Sequence, residues 1–284
     1  MSVETEQKRQ IVHAMWASVA DRWEEHAAYV ERRAAGISNA MLDGVALAPT
    51  DRVLELACGP GGLGIAAAAR AAEVVLSDVV PAMVEIAAKH LADAGVTNAT
   101  ARVIDLEEID EPPASFDVVL CREGLMFAVD PAAALAQVRD VLRGDGRVAV
   151  AVWGPAADNP WLSIVMESVG AQVGHSVPPP GMPGPFALSD ADALVALFDA
   201  AGFSDVTLDR IDVPLHAASF EDWWARTSGV AGPVAKIIAG LPAAAQAELE
   251  ARLRAAVAPY EAADASIAFQ GVSLVVTARR GTNP

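Results

Sequence analysis

The stretch Val53-Leu54-Glu55-Leu56-Ala57-Cys58-Gly59-Pro60-Gly61-Gly62 constrains this chain more than any other. An apolar run rich in strand formers carries one acid, Glu55, and then breaks into a Gly/Pro turn that no regular element tolerates. An Ala-rich segment of high helix propensity follows. A second apolar run, Val74-Val75-Leu76, then stops at Asp78. The order is strand, tight turn, helix, and a second strand with a carboxylate at its tip. Glycines in such a turn let the backbone approach a ligand with no Cβ in the way. A carboxylate at the second strand tip accepts both hydroxyls of a ribose. The pattern points to an adenosine-containing cofactor.

Two cofactors compete for that pattern. Gly59, Gly61 and Gly64 satisfy the spacing G-x-G-x-x-G, and Asp78 follows at about the 20 residues expected of a dinucleotide site. Taken alone, the spacing suits NAD about as well as S-adenosylmethionine (SAM). Glu55 tilts the choice, because a carboxylate inside the first strand suits an ammonium-bearing cofactor and works against a pyrophosphate. Asp105, which follows the apolar run Ala101-Arg102-Val103-Ile104, is of the type that accepts from an adenine amino group.

Four features in order then resemble a known family. They are E-L-A-C-G-P-G-G from Glu55, S-D-V-V-P-A-M from Ser77 to Met83, I-D-L-E-E from Ile104, and S-F-D-V-V-L-C-R ending at Arg122. Together they look like the class I SAM-dependent methyltransferases, in particular the ubiquinone/menaquinone-biosynthesis type and the small-molecule methyltransferases around it. The likeness is specific over roughly residues 50–155, weaker in the N-terminal helix and at 187–210, and says little about 155–186 or 217–264. Ala57 stands where the family pattern D/E-x-G-x-G has its first glycine. The resemblance implies a Rossmann-like, seven-stranded, mostly parallel sheet with an antiparallel last strand, SAM as cofactor and S-adenosylhomocysteine as product. It also implies a set of contacts. Ala57, Cys58, Gly59 and Gly61 form the cofactor turn, and Glu55 serves the ammonium end. Asp78 and Val79 meet the ribose, with Met83 packed near the adenosine. Asp105 and Leu106 meet the adenine, and Trp16 lies over the cofactor. Arg122 has two readings, one on the methionine carboxylate and one as a partner of Glu123.

A chain of 284 residues holds one large α/β domain with insertions or two small ones, and 53% hydrophobic residues supply a sizeable core. No apolar run approaches the ~18 residues of a membrane span, and the polar start through Gln10 does not read as a secretory signal. The expectation is a cytoplasmic protein without stable membrane insertion, in which Cys58 and Cys121 are buried thiols. The net charge of −17, with no basic cluster to offset it, argues against a nucleic-acid partner and leaves a small-molecule acceptor. No metal-ligand spacing stands out.

Along the chain, residues 10–45 read as one or two helices, with Trp16, Ala20, Trp23 and Ala27 at helical spacing. Strands are expected near 52–57, 73–77, 100–104, 116–121 and 147–153, and helices near 63–70, 81–94 and 131–143. Gly144-Asp145-Gly146 would close the last of these helices. This alternation implies a parallel sheet covered on both faces, with ligands at the carboxyl ends of its strands. Glu55, Asp78, Asp105 and Arg122 all fall there. The expected organisation is an N-terminal helical cap (1–45), a SAM-binding core (46–154) and a substrate-side loop segment (155–186). The rest of the core sheet would come from 187–216 and 265–284, and a helical insertion forming a lid from 217–264. Within these, a helix is expected near 161–173 and a Pro/Gly loop at 178–185. A helix near 190–201 would be capped by Ser189. Strands near 205–215 and 267–279 complete the sheet.

All six tryptophans lie outside residues 46–152. They occupy the elements expected to roof the cofactor, where an apolar roof excludes water and packs a flat acceptor. We expect at least two of them in a pocket. Five histidines remain. His90 reads as solvent-facing, and His175 and His216 are the best-placed candidates for a catalytic base. The reading is a SAM-dependent methyltransferase acting on O, C or N of a small, largely apolar molecule, quinone-like, phenolic or polyketide in kind. The alternatives are an NAD(P)-dependent oxidoreductase and a non-methylating SAM-binding protein of the same fold. The Trp223-Trp224 segment suits a lid or a homodimer surface.

Overall fold

A computed structural model describes residues 3–230 and 232–281. Seven strands form one sheet: β1 (Arg52–Leu56), β2 (Glu73–Asp78), β3 (Ala99–Val103), β4 (Phe116–Arg122), β5 (Leu142–Trp153), β6 (Phe203–Asp212) and β9 (Val272–Arg280). Their order is β3-β2-β1-β4-β5-β9-β6. β1 to β5 pair in parallel, while β9 lies antiparallel between β5 and β6. The short strands β7 (Leu215–Ala217) and β8 (Ile267–Phe269) make a separate antiparallel ribbon. Central parallel strands are buried on both faces, which is why their sequences are continuous apolar runs. Val53, Leu54, Val74, Leu76, Val118, Val119 and Leu120 are all fully buried.

Helices α4 (Gly62–Ala68), α5 (Pro81–Asp93) and α6 (Pro131–Val141) connect the parallel strands. Pro81 and Pro131 stand at the first helical turn, where the missing N–H costs nothing. Asp130 caps α6 by accepting from Ala133 N at 3.0 Å. Gly144-Asp145-Gly146 does not separate helix from strand. Leu142 already pairs with Phe116, and the register jumps to Val118 with Arg147, so residues 143–146 bulge out of β5. The helix ends because Leu142 is drawn into the sheet.

The N-terminal segment is three helices rather than one or two: α1 (Val3–Ala17), α2 (Ala20–Glu25) and α3 (Ala27–Gly44). α3 is part of the core, with Ile37, Met41 and Leu42 buried against the sheet. α1 and α2 lie across the ends of the strands. α7 (Pro160–Val173) follows β5. α8 (Ala191–Ala200) is capped by Asp190, which accepts from Ala193 N, and not by Ser189. α9 (Phe220–Val230), α10 (Pro233–Ala239) and α11 (Ala243–Val257) form the insertion, closed at its base by the β7–β8 ribbon. The strand expected over 267–279 is broken between β8 and β9. At the break Gly271 lies so close to Val213 that a Cβ would stand 2.7 Å from its carbonyl oxygen.

Candidate active site

The ends of β1, β2 and β4 open into a cleft of about 110 Å³. Its floor is the glycine turn. Ala57 takes φ +51°, Gly59 +52° and Gly61 +88°, so the chain reverses through left-handed backbone. Cys58 N donates to Ser77 O at 2.8 Å, tying the turn to β2. Asp78 accepts from Gly59 N at 3.0 Å and Val80 N at 2.9 Å. Burial pushes its carboxyl above the ordinary range, and those two N–H donors pull the other way.

Glu55 is buried beneath the turn, and its Oε2 has no hydrogen-bond partner among the described residues. Desolvation pushes its pKa up to about 8, with the Arg122 guanidinium opposing. Burial likewise raises the Cys58 and Cys121 thiols, and both cysteines are free. α4 approaches closely because Gly64 lacks a side chain; a Cβ there would come within 2.4 Å of Glu55 Oε2. Gly61 lies under the turn against Leu76 and Ala87 and does not line the cleft. The other expected cofactor residues all line it: Trp16, Glu55, Ala57, Cys58, Gly59, Asp78, Val79, Met83, Asp105, Leu106 and Arg122.

Two of these carry partners that the sequence did not indicate. Arg122 pairs with Glu31 of α3, not with Glu123. Its Nη1 donates to Glu31 Oε2 at 3.0 Å and to Ser38 Oγ at 2.6 Å, and its Nη2 to Glu31 Oε1 at 2.5 Å. Asp105 accepts from Arg9 of α1 and stands 3.4 Å from His13 Nε2. Arg9 also faces Glu107 at 3.9 Å and Glu108 at 3.5 Å, so α1 is clasped over the Asp105 side of the cleft. Trp16 packs edge-on against Trp23 and Phe127, with ring centroids 5.6 and 4.8 Å away.

Trp16, Trp23, Phe127, Val12 and Glu123 also line a second cavity of about 460 Å³. Four of the six tryptophans meet there, as Trp153 and Trp161 form its far wall with centroids 5.1 Å apart. Asn159, fully buried, fixes that wall. It donates to Val272 O at 3.0 Å, accepts from Val272 N at 3.0 Å, and accepts from Trp161 Nε1 at 3.3 Å. Leu162 and Met166 of α7, Val234 and Ile237 of α10, and the loop from Val177 to Pro185 complete the lining. Its ionisable members are Arg33, Glu123 and Lys236. Trp223 stays out, packed against Phe220 and Phe269.

The histidine expectations fail. His175 is exposed on an open groove, its Nδ1 3.0 Å from Ser176 O, and His216 is exposed on β7; neither lines the cleft or the large cavity. His90 is not simply solvent-facing, since its Nδ1 lies 2.9 Å from Pro60 O in the turn. Charged residues that the sequence reading did not place at the site also reach it: Arg33 and Glu123 line the larger cavity, and Glu31 pairs with Arg122. Arg33 was legible in principle, because it falls on the stripe Val30, Ile37, Met41 at helical spacing, where a cation is out of place. Among the described residues no group of three or more His, Cys, Asp or Glu side chains is arranged to hold a metal ion.

Residues 53–146 match the family model described as a methyltransferase domain. The chain is 34% identical over 102 residues to aklanonic acid methyltransferase DauC of Streptomyces sp. strain C5, covering 35% of this chain and 46% of that one. It is 38% identical over 117 residues to ubiquinone/menaquinone biosynthesis C-methyltransferase UbiE of Ralstonia pickettii, covering 39% and 48%. The chain thus spans about half the length of these curated relatives. In fold it resembles the YcgJ protein of Bacillus subtilis, with a TM-score of 0.62 at 18% identity over 87% of this chain and 98% of that one. Ordered motifs, sheet order and domain match agree: residues 53–146 carry a methyltransferase domain, on a sheet whose order is that of a Rossmann-like methyltransferase fold.

Proposed function

We propose that the protein transfers a methyl group from SAM to an O, C or N atom of a small, largely apolar molecule, releasing S-adenosylhomocysteine. The observation that carries this reading is the junction of two cavities. A cleft rich in carboxylates meets a larger, nearly apolar cavity across Trp16, Trp23 and Phe127. The residues fit the cofactor. Glu55 presents a buried carboxylate oxygen lacking a partner for an ammonium group, and the left-handed Gly59 backbone leaves room for close approach. Asp78 stands at the β2 tip. Asp78, Asp105 and Glu107 on one cleft oppose the pyrophosphate of NAD(P).

SAM, when bound, supplies an activated methyl group. The protein's share is alignment and exclusion of water. Glu55 and Asp78 would hold the two ends of the cofactor, and α1 and α2 would roof it. The insertion and the Pro/Gly loop enclose the acceptor. The names of the relatives, one after aklanonic acid and one after ubiquinone and menaquinone biosynthesis, support an apolar small-molecule acceptor. The net charge of −17 supports a small molecule over nucleic acid.

Calorimetric titration with S-adenosylhomocysteine, with NADH in parallel, tests the cofactor. Micromolar binding of the first and none of the second is expected; the reverse overturns the reading. Transfer of labelled methyl from SAM to quinone-like, phenolic and polyketide acceptors then separates a methyltransferase from a protein that only binds SAM.

A further inference from the structure

Glu123 stands where the two cavities meet and lines both. Its Oε2 accepts from Arg33 Nη2 at 3.3 Å, while its Oε1, also buried, has no hydrogen-bond partner among the described residues. A carboxylate kept only to neutralise Arg33 would use both oxygens, because a buried acceptor left unpaired is costly. Arg33 is itself held rigidly, its guanidinium 4.9 Å from the ring centroids of both Trp153 and Trp161. The backbone at Glu123 is left-handed, with φ +59°, and its N donates to Ala151 O at 2.8 Å. A non-glycine residue keeps that conformation only when its surroundings impose it.

We propose that Glu123 accepts the proton of an acceptor hydroxyl, and that the acceptors are therefore flat phenols or enols whose hydroxyl reaches the seam between the two cavities. The proposal rests on the methyltransferase reading and narrows it to oxygen. In the step, the O–H bond breaks and the proton joins Glu123 Oε1, turning the carboxylate into the acid. The electron pair stays on the acceptor oxygen, which becomes the nucleophile. Arg33 is a positioning residue that holds Oε2 and leaves Oε1 for the substrate. The charged groups around Glu123 are Arg33 and Glu31 from α3 and its neighbour Arg122. Burial pushes the Glu123 carboxyl above its ordinary range, Arg33 and Arg122 draw it down, and Glu31 adds to the rise. A carboxylate of raised basicity in a water-poor seam suits proton transfer at neutral pH.

The test uses the full chain without turnover. 4-Nitrophenol and 4-nitroanisole, which lacks the hydroxyl, are titrated by absorbance. The phenol should bind at least about tenfold tighter. It should bind in its neutral form, ionising only above its free-solution pKa, because a phenolate beside a carboxylate is disfavoured. Glu123→Gln should abolish the preference and let the bound phenol ionise at lower pH, since an amide donates to phenolate; Glu123→Asp should restore part of the preference. Equal affinity of the wild type for the two probes, no saturable phenol binding, or a preference unchanged in a folded Glu123→Gln protein overturns the proposal. If that variant does not fold, the wild-type preference and the bound probe's pKa decide by themselves. S-Adenosylhomocysteine binding is measured alongside. Its absence defeats the methyltransferase reading whatever the phenol does, whereas its presence without phenol preference defeats only the role of Glu123.

Discussion

Binding of S-adenosylhomocysteine should release a proton from Glu55. Burial has raised this carboxyl from the ordinary value near 4.5 to about 8. At 1.36 kcal/mol per pKa unit, the charged form costs roughly 5 kcal/mol in the ligand-free protein. At pH 7 the group is then roughly nine-tenths protonated. An ammonium group requires the carboxylate, so binding must first ionise Glu55, at about 1.4 kcal/mol at pH 7 and twice that at pH 6. Affinity should therefore rise about tenfold per pH unit between roughly pH 5 and 8 and flatten above. Calorimetry at pH 6.5 in buffers of different ionisation enthalpy should show close to one proton released. In Glu55→Gln the slope and the released proton should vanish, and affinity at pH 8 should fall by about 1.5–3 kcal/mol with the lost charge-assisted bond. Stability carries the same signature with the ligand absent. A raised folded-state pKa gives a contribution fully present below pH 4.5 and lost as pH rises through about 8. Wild type should lose stability over that window relative to Glu55→Gln. A heat of binding independent of buffer, with affinity flat from pH 5 to 8, would refute the placement of the ammonium at Glu55.

Asp78→Asn keeps one oxygen for the turn but removes the charge facing the ribose, so affinity for S-adenosylhomocysteine should drop by about 1.5–3 kcal/mol; unchanged affinity in the folded variant removes Asp78 from the cofactor site. Gly64→Ala places a Cβ 2.4 Å from Glu55 Oε2 and 2.5 Å from Leu76 Cγ. Overpacking should outweigh the ~1 kcal/mol gain in helix propensity and cost roughly 1–2 kcal/mol net by denaturant unfolding; a stabilised variant contradicts the packing. Met166→Trp fills part of the 460 Å³ cavity from α7. It should leave S-adenosylhomocysteine affinity within about twofold while weakening 4-nitrophenol at least about tenfold; equal loss of both would mean the two cavities are not separate sites.

The cofactor end of the site was legible because its signals are local. A strand, a turn that needs positive φ, and a carboxylate at the next strand tip occupy residues 52–78, and the fold must realise them within a few turns of chain. Ala57 at φ +51° even shows why the family pattern favours glycine there. Strand and helix periods also fixed the parallel half of the sheet. The bulge at 143–146 and the break at Gly271 escaped, because each is a response to a partner strand rather than to neighbours in sequence.

The charge pairing around both cavities was decided by tertiary structure. Arg9 meets Asp105 across 96 residues, Arg122 meets Glu31 across 91, and Arg33 meets Glu123 across 90. Nothing in local periodicity names such partners. His175 and His216 are of a type that suits a base, but both are exposed and line neither cavity, although the loop that follows His175 does line the larger one. What the chain settled by itself is a nucleotide-type turn and an α/β sheet, since backbone sterics and apolar period act over a few residues. Which charges line the larger cavity was settled only when α3 crossed the strand ends and four tryptophans from distant segments closed around it, because burial and ion pairing depend on the whole packed assembly.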